Sequence, residues 1–141
     1  MSVLPDPSTE FGERVARRLR DEVVVWLTLV DGSGRPQPTP VWFLWEGETA
    51  LIFSRGDAKR LDHLKANPRV SLNFDGDGGG SDIIVLTGEA EIVPDQPPVH
   101  ETPAYLAKYG ERITAGWQTA ENFASIYSVP IRFRAQRVRG Y

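Results

Sequence analysis

Residues 23–75 read VVVWLTLVDGSGRPQPTPVWFLWEGETALIFSRGDAKRLDHLKANPRVSLNFD, and this stretch decides the fold. Val23 to Val30 is β-branched and apolar at both parities, the pattern of a well-buried strand. Asp31-Gly32-Ser33-Gly34 supplies the positive φ angles that a tight hairpin needs. A second strand, Val41 to Trp45, leads through Glu46-Gly47-Glu48 into Ala50 to Ser54, a further hairpin. Asp57 is placed to cap a helix from Ala58 to Ala66, which Asn67-Pro68 ends. Val70 to Phe74 then returns as a strand with Val70, Leu72 and Phe74 on one face. Packed strands make a flat apolar wall, and the helix start presents free N–H groups among cations. Those are the parts needed to hold a planar ring that carries a phosphate.

Outward from this stretch the pattern continues. Phe11, Val15 and Leu19 recur every four residues, which predicts a helix from about Thr9 to Asp21 with Ser8 or Thr9 as N-cap. After a polar Gly76–Ser81 loop, Ile83 to Val93 reads as a long strand ending at Pro94. Thr102-Pro103 opens a helix with Gly110 as its stop, and Thr119 caps another through Tyr127. Pro130 to Arg139 finishes as a strand with alternating arginines. The expected fold is mainly β with helices (α+β): a closed or partly closed antiparallel barrel whose openings the helices cover. Residues 1–141 form one domain in this reading, since the Pro94–Pro98 connector is too short for a linker.

Composition narrows the function classes. Hydrophobic residues at 40% and charged residues at 25% are those of an ordinary globular protein. No apolar run reaches the roughly 18 residues of a membrane span, and the N-terminus lacks the basic-then-apolar order of a secretory signal. With no cysteine, thiolate metal sites and cysteine nucleophiles are excluded, and a cytoplasmic location is expected. A net charge of −3 argues against nucleic acid as partner.

Acid–base machinery is sparse. The histidines are His63 and His100 alone, too few for a serine triad or a His-based metal site. The Gly-rich loop fits neither a calcium loop, for which Leu86 stands at the twelfth position, nor a phosphate loop. If the protein catalyses a reaction, a bound cofactor supplies the chemistry. The cations Arg55, Lys59, Arg60, Lys65 and Arg69 gather around the short helix. Lys59 and Arg60 fall at its positive end, where a cation is unfavourable unless an anion binds. Pro38 and Pro40 remove N–H donors from the second strand, which makes it an edge that leaves Thr39 and Val41 free to meet a ring.

These motifs together carry a resemblance. Gly34-Arg35-Pro36-Gln37-Pro38-Thr39-Pro40-Val41-Trp42-Phe43, then Ile52-Phe53-Ser54, the basic helix and Asn67-Pro68-Arg69-Val70-Ser71-Leu72 resemble the split β-barrel flavin-binding superfamily that includes pyridoxamine 5′-phosphate oxidase. Within it the chain looks most like the actinobacterial branch of coenzyme F420-dependent (deazaflavin) oxidoreductases, as do Tyr127–Ile131 and Arg137–Gly140. The resemblance implies an FMN-binding-like split barrel and a homodimer with cofactor sites at the subunit interface. It implies Thr39, Pro40, Val41 and Trp42 along the ring, Phe53 and Ser54 at its ribityl side or polar edge, and Lys59 and Arg60 on the phosphate. Arg60 stands where the branch usually has lysine, and Asp62 where it often has a basic residue. The implied function is hydride transfer from reduced F420 to a small conjugated substrate. The alternatives are an FMN-dependent oxidase or reductase, for which the phosphate motif is the same, and a non-catalytic cofactor-binding protein. For a deazaflavin, Arg55, Lys65 or Arg69 would meet the acidic tail.

Overall fold

A computed structural model describes residues 2–141. The first helix, α1 (Glu10–Asp21), begins where expected: the Gly12 N–H donates to the Thr9 hydroxyl at 3.0 Å. β1 (Val24–Val30) pairs antiparallel with β2 (Pro36–Trp42), from Val24 opposite Trp42 to Val30 opposite Pro36. The turn between them is held by the Asp31 carboxylate, which accepts the Ser33 N–H at 2.8 Å and the Arg35 N–H at 3.0 Å. Prolines occupy alternate positions 36, 38 and 40, so Gln37, Thr39 and Val41 between them can donate to β1. The prolines turn their missing donors outward, and β2 is an edge strand.

The expected single strand Val41–Trp45 is instead broken at Phe43. β2 ends at Trp42, and β3 (Leu44–Glu46) is a separate strand paired with β4 (Thr49–Ser54). The physical cause lies far along the chain. The Phe43 N–H donates to the Tyr109 hydroxyl at 2.9 Å, and its carbonyl accepts from Lys108 Nζ at 2.9 Å. Side chains thus satisfy a backbone that no neighbouring strand pairs. β2 and β3 end up at opposite edges of the same sheet.

Besides a single 3-10 turn at Val99–Glu101, the remaining elements are α2 (Arg60–Ala66), β5 (Arg69–Asn73), β6 (Ile84–Ile92), α3 (Pro103–Trp117), α4 (Ala120–Ile126) and β7 (Val129–Gly140). All seven strands join one antiparallel sheet in the order β2-β1-β5-β6-β7-β4-β3. The sheet curls into the expected split barrel. A bulge at Thr87/Gly88 breaks the β6–β7 register, and glycine is required there because a Cβ on Gly88 would run into the Arg134 carbonyl. Two further expectations are corrected. α3 runs through Gly110 to Trp117, since burial of Tyr105, Tyr109 and Ile113 outweighs the roughly 1 kcal/mol helix cost of glycine. Asp57 does not cap α2: it pairs with Arg55 at 3.2 Å, and Lys59 holds the N-cap position with no side-chain cap.

Strand alternation divides the core. Ala50 and Ile52 of β4 face the barrel interior with Leu27, Phe43, Leu72 and Phe133. Leu51 and Phe53 face the other way, against Tyr105, Tyr109 and Ile113 of α3 and Phe123 of α4. No helix among the described residues is long and apolar enough to cross a membrane.

Candidate cofactor site

β2 and β4 are not hydrogen-bonded neighbours, yet the curl of the sheet brings their ends together. Pro40, Val41 and Trp42 from β2 meet Phe53 and Ser54 from β4 across a chamber of about 340 Å³. Tyr105, Trp117, Phe123 and Tyr127 close its helical side. The Gly56 N–H donates to the Ile126 carbonyl at 3.3 Å and docks the loop after β4 against α4.

The rings form a column. Trp42 stacks on Tyr109 at 4.6 Å and 6°, and on Phe123 at 5.7 Å and 16°. Phe123 stacks in turn on Tyr127 at 4.4 Å and 10°. Trp117 stands edge-on to Trp42, Phe123 and Tyr127. Stacked and edge-on pairs each contribute about 0.5–1.5 kcal/mol beyond burial, so this wall is rigid. Burial pushes the Tyr105 phenol well above its usual range, so it stays protonated.

A second, more polar cavity of about 490 Å³ adjoins the first. Thr39, Gln37 and Asp31 line it from the β1–β2 hairpin, and Lys59, Arg60 and His63 from the α2 side. Arg60 lines both cavities. Its guanidinium is half-buried, and burial pulls it below the usual arginine range. No carboxylate among the described residues offsets it. A cation in that position is costly unless an anion joins it.

The residues expected from sequence therefore divide between two compartments. Pro40, Val41, Trp42, Phe53, Ser54 and Arg55 line the aromatic chamber, Thr39 and Lys59 the polar cavity, and Arg60 both. Lys65 and Arg69 of the basic cluster are exposed and line neither. Sequence reasoning missed Tyr105, Trp117, Phe123 and Tyr127. A signal was present for three of them: Tyr105/Tyr109 on α3, and Phe123 on α4 with Tyr127 at its C-cap, each stand four residues apart, while Trp117 had none. His63 also lines the polar cavity, a role that its place in the short helix did not disclose.

The fold is a split antiparallel barrel, and its aromatic chamber is lined by two guanidiniums, those of Arg55 and Arg60. A family model described as pyridoxamine 5′-phosphate oxidase matches residues 11–140, and the chain belongs to that family. No curated protein sequence matches it. Among solved structures, one described as an F420 reductase superposes with a TM-score of 0.68 at 23% identity, covering 87% of this chain and 94% of that one. A candidate pyridoxamine 5′-phosphate oxidase from Listeria innocua gives 0.65 at 23% identity, covering 90% and 94%. HutZ, a heme storage protein from Vibrio cholerae, gives 0.63 at 13% identity, covering 91% and 92%. At these identities the likeness establishes the fold alone.

Proposed function

We propose that this protein is an oxidoreductase that binds a phosphorylated flavin-type cofactor, the deazaflavin F420, for reduction of a small conjugated substrate. One observation carries the reading: Arg60, half-buried and without a carboxylate partner, stands where the aromatic and polar cavities meet. A phosphorylated ring needs those surroundings, an apolar flat wall for the ring and unneutralised cations for the phosphate.

Arg60 and Lys59 hold the phosphate in this reading, with His63 beside them. Pro40, Val41 and Trp42 back the ring, and Phe53 and Ser54 meet its polar edge. The chemistry the bound cofactor supplies is donation of a hydride, two electrons and one proton together. The chain's own residues orient one ring face and exclude water from it with the Trp42 column. The reading includes assembly as a homodimer with the site at the subunit interface.

The similarity to an F420 reductase supports the deazaflavin. The similarity to a heme storage protein keeps a purely binding role as the competing reading. Parallel fluorescence titrations with F420 and FMN decide the cofactor, and turnover with an enone and quinone panel decides catalysis. Saturable F420 binding that weakens at least tenfold in the Lys59→Ala/Arg60→Ala double variant is the expected result. Absence of binding by both cofactors sinks the proposal, and binding without any turnover leaves only the carrier role.

A further inference from the structure

We propose that His63 is a third anion-binding residue of the polar cavity, and that its protonation sets how tightly a phosphate is held there. This rests on the cofactor reading above and adds a pH control to it.

The first observation is placement. Lys59, Arg60 and His63 all line the cavity, three and four residues apart on one side of α2. Side chains so spaced stand about 5–6 Å apart at Cβ, close enough to share one phosphate. Leu61 and Leu64 are buried in the barrel core, which fixes the rotation of α2 and keeps the three on the cavity side.

The second is the lack of a competing partner. His100 lies 3.8 Å from Glu101, whereas the half-buried His63 has no ion pair among the described residues. The carboxylate that lines the cavity is Asp31, and its own hairpin engages it. Oδ1 accepts the Ser33 N–H at 2.8 Å and the Arg35 N–H at 3.0 Å, and Oδ2 accepts the Gln37 amide at 3.0 Å.

The third is the set of charges that face the imidazole. Those hydrogen bonds, the Arg35 N–H foremost, hold the Asp31 carboxyl below its usual range, so it stays ionised at neutral pH. The α2 side contributes Lys59 and Arg60, and β1 contributes Leu27 and Leu29. The strand β6 also packs on α2 but lends the cavity no side chain. His63 is therefore the lining group whose class of side chain changes charge between pH 5 and 8. Protonated, it adds a third cation against one fixed carboxylate. Neutral, it leaves Asp31 to oppose the anion with one cation fewer on the other wall. Anion binding thus favours the protonated imidazole, and affinity falls as pH rises.

Calorimetric titration with F420 and with FMN tests this in the parent, His63→Gln and His63→Lys. Each is measured near pH 5.5 and near pH 8.5 at one ionic strength. The ratio of variant to parent Kd cancels the titration of the cofactor itself. For His63→Gln that ratio is expected to be about fivefold or more at the acid pH and close to one at the alkaline pH. His63→Lys, a lasting cation, should bind more tightly than the parent at the alkaline pH, and His100→Gln should keep the parent's profile. A His63→Gln ratio that is equal at both pH values overturns the proposal, as does a lysine variant no tighter than the parent. A pH profile abolished by His100→Gln overturns it too. Binding that weakens in Lys59→Ala/Arg60→Ala while the His63→Gln ratio stays constant overturns only the role of His63. Absence of binding by both cofactors at both pH values overturns the cofactor reading with it.

Discussion

The hydroxyl of Tyr109 accepts the backbone N–H of Phe43 at 2.9 Å, joining residues 66 positions apart. The same hydroxyl lies 2.7 Å from the Val23 carbonyl and 2.9 Å from the Phe43 carbonyl. It has one proton to give, and the nearer Val23 oxygen is the better acceptor. The Phe43 carbonyl is supplied by Lys108 Nζ. One tyrosine on α3 thereby sets the point where the chain leaves one sheet edge for the other.

Tyr109→Phe removes that hydroxyl and leaves the buried Phe43 N–H unpaired. A loss of about 1–3 kcal/mol in unfolding free energy is expected by urea denaturation. A variant as stable as the parent would show that the junction is held by packing alone.

Lys108 gives the stability a pH signature. Burial pulls its ammonium down to about 8, against the attraction of Asp21 and Glu22. The unfolded lysine titrates near 10.4, so between these values the unfolded state binds more protons and stability rises with pH. Below about 8 both states are charged and the slope vanishes. Urea midpoints measured from pH 7 to 9.5 should climb in the parent and stay flatter in Lys108→Met. Above about 10 the ionisation of unfolded tyrosines reverses the trend, because Tyr105 and Tyr109 are pushed up by burial.

Arg60→Met separates binding from stability. Removing a half-buried, unpaired guanidinium should leave thermal stability equal or higher, while cofactor affinity falls about tenfold or more. A clear drop in melting temperature would mean that Arg60 is a structural residue.

Gly88→Ala places a Cβ against the Arg134 carbonyl inside the β6–β7 ladder. Backbone cannot yield there as a flexible side chain would, so a loss of about 2 kcal/mol or more is expected in chemical denaturation. Gly110→Ala is the control, since nothing lies within 4 Å of its Cβ and a helix gains about 1 kcal/mol from alanine.

Gln118→Gly should raise the melting temperature, because glycine adopts φ 71° without the strain of a side chain. The expected gain is about 1 kcal/mol, reduced by the greater freedom of glycine in the unfolded chain. Destabilisation instead would show that Gln118 is unstrained where it stands.

The sequence by itself determined what depends on neighbours a few residues away. The Asp31–Gly34 turn closes on its own carboxylate, Thr9 and Thr119 cap their helices, and alternate prolines make β2 an edge. Such features follow from backbone geometry within one or two turns, and so did the strand content and the barrel. The Pro40–Trp42, Phe53–Ser54 and Arg60 candidates were legible for the same reason, each lying in one short motif. Only the tertiary structure decided the break at Phe43, the passage of α3 through Gly110, and the meeting of Trp42 with Trp117, Phe123 and Tyr127. Each depends on burial against residues more than sixty positions away or on a buried helix face, and local propensities of about 1 kcal/mol yield to those contacts.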